Sequence, residues 1–307
     1  SNTPPSIDSL TLGASQSYSS DTVSCSGVSS DSDADSLSET YAWSNETTST
    51  PIGSTSTFSL SPLSVSPGDS VSCTYTSDDG TDAASQTMVL SIVNSDPVVD
   101  SLTVVPSSPY LGDTLSCLGS VSDGDLENTT ETYVWENQTT GATLATGMTL
   151  ALDSTNASPN DVIVCSIEVS DTSGGTASST SSATVGNLAP TIDALSFDVS
   201  SLAIGDSITC LSSESDPEGD LPTMTYEWTN ETSGNSIGTG ASLTLTSSMA
   251  TGLDEVSCTA TATDSYGATD SESVSIMVDE TVPEFVTAAS VSPSSGVTTS
   301  GSLSCSG

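Results

Sequence analysis

Acidic residues recur along this chain at a spacing that suits a metal ion. Asp31, Asp33 and Asp35 alternate along one short stretch, Asp123, Asp125 and Glu127 along a second, and Asp216, Glu218 and Asp220 along a third. Each triplet falls six, eight and ten residues after a cysteine (Cys25, Cys117, Cys210). Asp79, Asp171 and Asp264 each fall six residues after another cysteine (Cys73, Cys165, Cys258). Alternating carboxylates on Gly-containing loops form a donor set for a hard cation with oxygen ligands, which points to Ca²⁺. Without a cation their mutual repulsion would raise their pKa values or splay the loop. A second reading leaves the loops solvated and uses the acids to cap turns. A third, the carboxylate pair of a glycosidase, is disfavoured, because three identical catalytic pairs along one chain with nothing pointing to a deep pocket would be odd.

A second chemistry lies in Asn-x-Thr. Asn45, Asn137 and Asn230 each stand two residues after a Trp, in "NET", "NQT" and "NET", and all are N-glycosylation sequons. Asn128 ("NTT") and Asn156 ("NAS") are further, unrepeated sequons. The alternative is that each repeated Asn opens a turn and that Thr follows by composition, since Ser and Thr are abundant everywhere. The residue two before each repeated Asn is Trp, not the acid that some bacterial oligosaccharyltransferases require. The same Ser/Thr-rich composition offers sites for O-glycans but no motif.

Composition narrows the field. The 307 residues carry 40 Asp and Glu but no Lys, Arg or His. No cation is available to contact phosphate, so nucleic acid is excluded as a partner. There is no His to act as a general base or zinc ligand. Together these absences point away from an enzyme. The net charge of −40 makes the chain soluble and self-repelling, and divalent cations or dense hydration would offset it. No apolar run is long enough to span a membrane, so no membrane insertion is expected within this segment.

The elements that position these residues come from a repeat. Cys25, Cys117, Cys210 and Cys305 lie 92, 93 and 95 residues apart. The first three are followed 18 residues later by Trp43, Trp135 and Trp228, and each Trp is followed 30 residues later by Cys73, Cys165 or Cys258. This gives three full repeats, 1–94, 95–187 and 188–280, and the first part of a fourth over 281–307. Within a repeat, segments such as "DTLSCLGSV" and "DVIVCSIEVSD" alternate apolar with small polar residues, and Gly, Pro, Asn and Asp punctuate them. The fold class expected is all-β. Further Asp residues mark element ends. Asp8, Asp100 and Asp193 lie 17 residues before the first cysteine of each repeat. Asp21 and Asp69, Asp113 and Asp161, and Asp206 and Asp254 each lie four before a cysteine and suit Asx turns.

Cys–Trp–Cys over about a hundred residues resembles the immunoglobulin sandwich, with the cysteines on strands B and F and the Trp on strand C. The resemblance implies the disulfides Cys25–Cys73, Cys117–Cys165 and Cys210–Cys258. Each would close a 48-residue loop, worth roughly 4 kcal/mol on a chain-entropy estimate, and would place the protein in an oxidising compartment. Cys305 matches the first cysteine of a truncated fourth repeat; the alternative is a bond to another chain. "GDSITC", "DPEGD", "YEW" and "CTATATDSYG" further resemble the tandem Ig-like, PKD-like or cadherin-like repeats of bacterial surface proteins. On that resemblance the two acidic loops of each repeat and the Asp of its first strand share one pole, beside the preceding repeat. Short Pro-containing linkers imply sandwiches stacked into an elongated rod of roughly 110 Å. The function expected is structural: an extracellular or cell-surface stalk or filament that self-associates with like repeats, calcium-stiffened and glycosylated. The alternative is an adhesin recognising glycan or protein, for which Tyr110 and Tyr266, absent from the other repeats, are the distinctive aromatics.

Overall fold

The computed structural model describes residues 2–280 and, as backbone strands, 290–292 and 304–306. It is all-β, as the alternation predicts. Among the described residues no helix is long and apolar enough to cross a membrane. By internal contact the chain divides into two compact units, Ser1–Gly186 and Asn187–Gly307.

The first unit contains two sandwiches. The first is built from β1 (Ser6–Leu12), β2 (Gln16–Ser17), β3 (Thr22–Ser30), β4 (Ser38–Asn45), β5 (Thr50–Gly53), β6 (Thr57–Ser59), β7 (Ser70–Asp78) and β8 (Ala83–Ile92). One sheet runs β1-β3-β6 and the other β2-β8-β7-β4-β5. The second sandwich uses β9 (Val98–Val105), β10 (Thr114–Ser122), β11 (Thr130–Asn137), β12 (Ala142–Thr146), β13 (Thr149–Ala151), β14 (Val162–Ser170) and β15 (Thr176–Thr184), ordered β9-β10-β13 and β12-β11-β14-β15. The second unit repeats that plan with β16 (Thr191–Phe197), β17 (Ser207–Ser215), β18 (Thr223–Asn230), β19 (Asn235–Thr239), β20 (Ser242–Thr244), β21 (Glu255–Thr263) and β22 (Thr269–Met277). There β23 (Ser290–Ser292) also pairs antiparallel with β24 (Ser304–Ser306). Of the fourth repeat expected over 281–307 only these two strands are described, and the expectation for the partner of Cys305 lies outside what is described.

Period-two alternation sets each face. In β7, Val71, Cys73, Tyr75 and Ser77 are buried while Thr74 and Thr76 are partly exposed. On the open face Thr74 pairs with Thr87 and Thr76 with Ser85, each at 2.8 Å. Thr259–Ser273 and Thr261–Ser271 repeat the device at 2.8 and 2.9 Å on β21 and β22. Such cross-strand hydroxyl pairs stabilise a sheet without charge.

Each core is organised by one Trp and one disulfide. Trp43, Trp135 and Trp228 are fully buried and stand opposite Cys73, Cys165 and Cys258 in register. Their indole N–H groups donate to the carbonyls of Thr55, Gly147 and Gly240 at 2.8–2.9 Å, so burial leaves no orphan donor. The disulfides Cys25–Cys73, Cys117–Cys165 and Cys210–Cys258 tie the two sheets of each sandwich together. The Tyr of Tyr-x-Trp is less uniform. Tyr133 is buried, whereas Tyr41 and Tyr226 are half-buried. Burial, with a hydrogen bond to Glu131 at 2.6 Å, pushes the Tyr133 hydroxyl up to about 12. In the first sandwich Tyr75 of β7 is buried instead and packs so close to Gly27 that a Cβ there would sit 2.5 Å from its ring.

Candidate metal centre

The three acidic triplets fold alike. The first acid of each organises its loop: one Asp31 oxygen accepts the N–H groups of Asp33 and Asp35 at 2.8 and 3.3 Å. Asp123 accepts those of Asp125 and Glu127 at 2.8 and 3.2 Å, and Asp216 those of Glu218 and Asp220 at 2.9 and 3.4 Å. These are the turn caps of the solvated-loop reading. The second oxygen behaves otherwise. Asp31 Oδ2, Asp123 Oδ2 and Asp216 Oδ2 are buried and have no hydrogen-bond partner.

The geometry is fullest around the second triplet. Asp125 has both oxygens engaged, one by the hydroxyl of the fully buried Ser19 and the other by the Ser95 N–H at 2.6 Å. Glu127 Oε1 accepts from Thr172 and Ser173, each at 2.7 Å, while its Oε2 is buried and unpartnered. Asn94 donates through Nδ2 to Asp171 Oδ2 at 2.8 Å and leaves its own Oδ1 buried and unpartnered. A Cβ on Gly175 would collide with Asp171 Oδ2 and lie 2.7 Å from Asn94 Nδ2 and Asp96 Oδ1, so glycine is what lets these groups approach. Asp123, Asp125 and Glu127 bring oxygens within 4.8 Å of one another, as do Asp31, Asp33 and Asp35.

Three asparagines in the linkers escape a reading based on acids alone. Asn2, Asn94 and Asn187 each donate to the Asp of the later loop: Asp79 at 3.1 Å, Asp171 at 2.8 Å and Asp264 at 2.7 Å. The residue after each Asn donates its N–H to the middle acid: Thr3 to Asp33, Ser95 to Asp125 and Leu188 to Glu218. The signal was present in the sequence, since all three stand 23 residues before the first cysteine of their repeat. Among the described residues of the second unit Asn187 Oδ1, Asp216 Oδ2 and Glu218 Oε2 are the buried unpartnered oxygens, and Asp220 accepts from Ser265 at 2.6 Å.

Charge states follow these contacts. The Asn94 amide, helped by loop N–H groups, holds Asp171 below the usual carboxylate range, and Asn187 does the same for Asp264. The Asp82 N–H does so for Asp79. Burial pushes Glu218 up. A depressed folded pKa contributes stability that is present above the unfolded value near 4 and lost as pH falls through the folded value. The melting temperature of the wild-type chain is therefore expected to fall relative to Asn94→Ala as pH drops below about 4, measured as the difference between the two proteins in parallel melts.

The other recurrent acids are engaged at element ends and turns. Asp8, Asp100 and Asp193 cap the ends of β3, β10 and β17, accepting from Ser30, Ser122 and Ser215 at 2.9–3.1 Å. Asp21, Asp113 and Asp206 close turns through the N–H groups of Tyr18, Tyr110 and Ala203.

The repeated sequons need correction. Asn45, Asn137 and Asn230 are 0–2 % exposed. Their Nδ2 groups donate to Asp69, Asp161 and Asp254 at 2.7, 2.7 and 3.0 Å, and also to the carbonyls of Ser64, Asn156 and Met249. The Thr two residues on is also used. The hydroxyls of Thr47, Thr139 and Thr232 accept the N–H that opens the next long strand, at Ser70, Val162 and Glu255. Asn-x-Thr is here a buried clamp between the end of one strand and the turn before another, and the folded chain presents no amide at these positions to a sugar.

No family model and no curated protein matches the chain. Solved structures that resemble it are tandem Ig-like, cadherin and bacterial adhesin repeats. One is a tetra-tandem repeat from the extending region of a large adhesion protein: 14% identity, 90% of this chain, 75% of that one, TM-score 0.37. Another is a Ca²⁺-stabilized adhesin that helps an Antarctic bacterium reach out and bind ice: 16% identity, 93% and 76% covered, TM-score 0.38. A third comprises immunoglobulin domains 1–5 of Sidekick-1: 15% identity, 90% and 58% covered, TM-score 0.29. Scores this low carry no argument about what this chain does.

Proposed function

We propose that this chain is a structural segment of an extracellular protein, a run of Ig-like repeats within a cell-surface stalk or filament, associating with like repeats and stiffened by Ca²⁺ at its acidic poles. The observation that carries the calcium reading is the set of buried, unpartnered oxygens on Asp123, Glu127 and Asn94. A buried acceptor without a donor costs free energy, and a carboxylate costs more than a neutral group. A cation resolves all three at once. With Asp96 near Asn94, these oxygens offer the all-oxygen set that Ca²⁺ takes, while Asp171 has both its oxygens hydrogen-bonded and orients Asn94. Asp125, whose two oxygens are hydrogen-bonded, then positions Ser19 and Ser95 across the junction. The disulfides fit the oxidising setting. The uncharged hydroxyl pairs on open sheet faces suit packing against other copies in a chain that has no cation to offset its charge.

Calcium at about a hundred times its dissociation constant is expected to stabilise the bound form by about 2.7 kcal/mol. Melting in Ca²⁺ and in chelator reads this out, with Asp123→Asn/Glu127→Gln as the variant that loses the response. Equal melting temperatures in both buffers would sink the calcium reading. The adhesin reading has one observation behind it: Tyr266 is 41 % exposed and has no counterpart, whereas Tyr110 is matched by the exposed Tyr18, each seven residues before the first cysteine of its repeat. Glycan-array binding that Tyr266→Ala abolishes would favour it.

A further inference from the structure

We infer that Asn128 is the N-glycan acceptor of this chain, resting on the extracellular reading above. The chain holds five Asn-x-Ser/Thr sequons. Three are the buried clamps. A fourth, Asn156, is half-buried and engaged at both ends, donating to the Ala151 carbonyl at 2.9 Å and accepting from the Asp153 N–H at 3.1 Å.

Asn128 differs on every count that matters to a transferase. It is exposed and lies in an irregular stretch between β10 and β11. None of the side-chain hydrogen bonds among the described residues uses its amide. The same holds for Thr130, two residues on, which is exposed at the start of β11 with its hydroxyl free, whereas the clamp threonines accept a strand N–H. An oligosaccharyltransferase must reach both the Asn amide and the hydroxyl two residues later, and only this sequon offers both.

The donor class is an oligosaccharide on a polyprenyl diphosphate. Nδ2 of Asn128 forms the bond to C1 of the first sugar. The bond from C1 to the diphosphate oxygen breaks, the diphosphate leaves with the bonding pair, and the amide gives up one proton to the enzyme's base. The residue two before Asn128 is Leu126, so the matching transferase is one that needs no acid there.

The test treats the folded, disulfide-bonded chain with such a transferase and a lipid-linked oligosaccharide, with a standard acceptor peptide as the activity control. The sites are read by intact mass and glycopeptide mapping. One glycan per chain, on Asn128 and abolished in Asn128→Gln, is the expected result. No glycan at Asn128 while the control peptide is modified, or a glycan on Asn45, Asn137 or Asn230 of the folded chain, would overturn the inference. The thiol count of chain isolated from its source, by alkylation and mass, tests the oxidising compartment separately. Failure of that reading is thus distinguishable from failure of this one.

Discussion

Replacing Cys117 and Cys165 together by alanine is expected to cost the second sandwich about 4 kcal/mol. The bridge closes a 48-residue loop and crosses between the sheets beside a fully buried Trp135. Two effects add. The unfolded chain regains the entropy that the crosslink removed, and loss of both sulfurs leaves a small gap against the indole. Domains of this size are stable by only about 5–15 kcal/mol, so much of the margin disappears. Calorimetry should show one transition moved down by roughly 15–30 °C, while the transition of the second unit, with its own bridge Cys210–Cys258, stays in place. A variant that melts with the wild type would show that the core, not the bridge, carries the stability.

Asn137→Ala is expected to be nearly as damaging, at about 3–5 kcal/mol, because it strands a buried carboxylate. Asn137 makes four hydrogen bonds from a position 1 % exposed. It donates to Asp161 at 2.7 Å and to the Asn156 carbonyl at 3.2 Å, and accepts from the N–H groups of Thr139 and Thr140 at 3.1 and 3.2 Å. After truncation Asp161, itself 8 % exposed, keeps only the Ser158 N–H. Thr139→Val removes the acceptor for the Val162 N–H at a position open to water and should cost about 0.5–1.5 kcal/mol, the net worth of an ordinary hydrogen bond. The ranking Asn137→Ala above Thr139→Val, with no change in the sugar content of the purified protein, separates a clamp from a glycan. Loss of mass without loss of stability would reverse the assignment.

The repeat and its sandwich were legible in the sequence because they rest on short periods and on one rigid pair of spacings. Alternation of period two put Val71, Cys73 and Tyr75 inward, and Cys–Trp–Cys marked the two strands the bridge must join. The acidic loops were legible as groups of donors but not as geometry. Nothing local shows that Asp125 is occupied by Ser19, 106 residues away, or that the free oxygens belong to Asp123, Glu127 and Asn94. The linker asparagines have no local signature: an uncharged amide three residues before a linker proline, as Asn94 before Pro97 and Asn187 before Pro190, is marked only by its recurrence. The sequons misled for a related reason. Asn-x-Thr is a local motif, while the partner that explains it, Asp69, Asp161 or Asp254, stands 24 residues downstream. That constant offset was the available clue.

The bridge also fixes how far the protein can be drawn out by force. When a repeat is pulled from its ends, the 48 residues between Cys117 and Cys165 are shunted out of the load path by the covalent bond. Only the remaining half of the repeat can extend, at ~3.5 Å per residue. A sandwich that gives way under tension therefore reaches a contour length of roughly 150 Å, about half of what its residue count would allow, and the core strands around the Trp stay crosslinked and ready to refold.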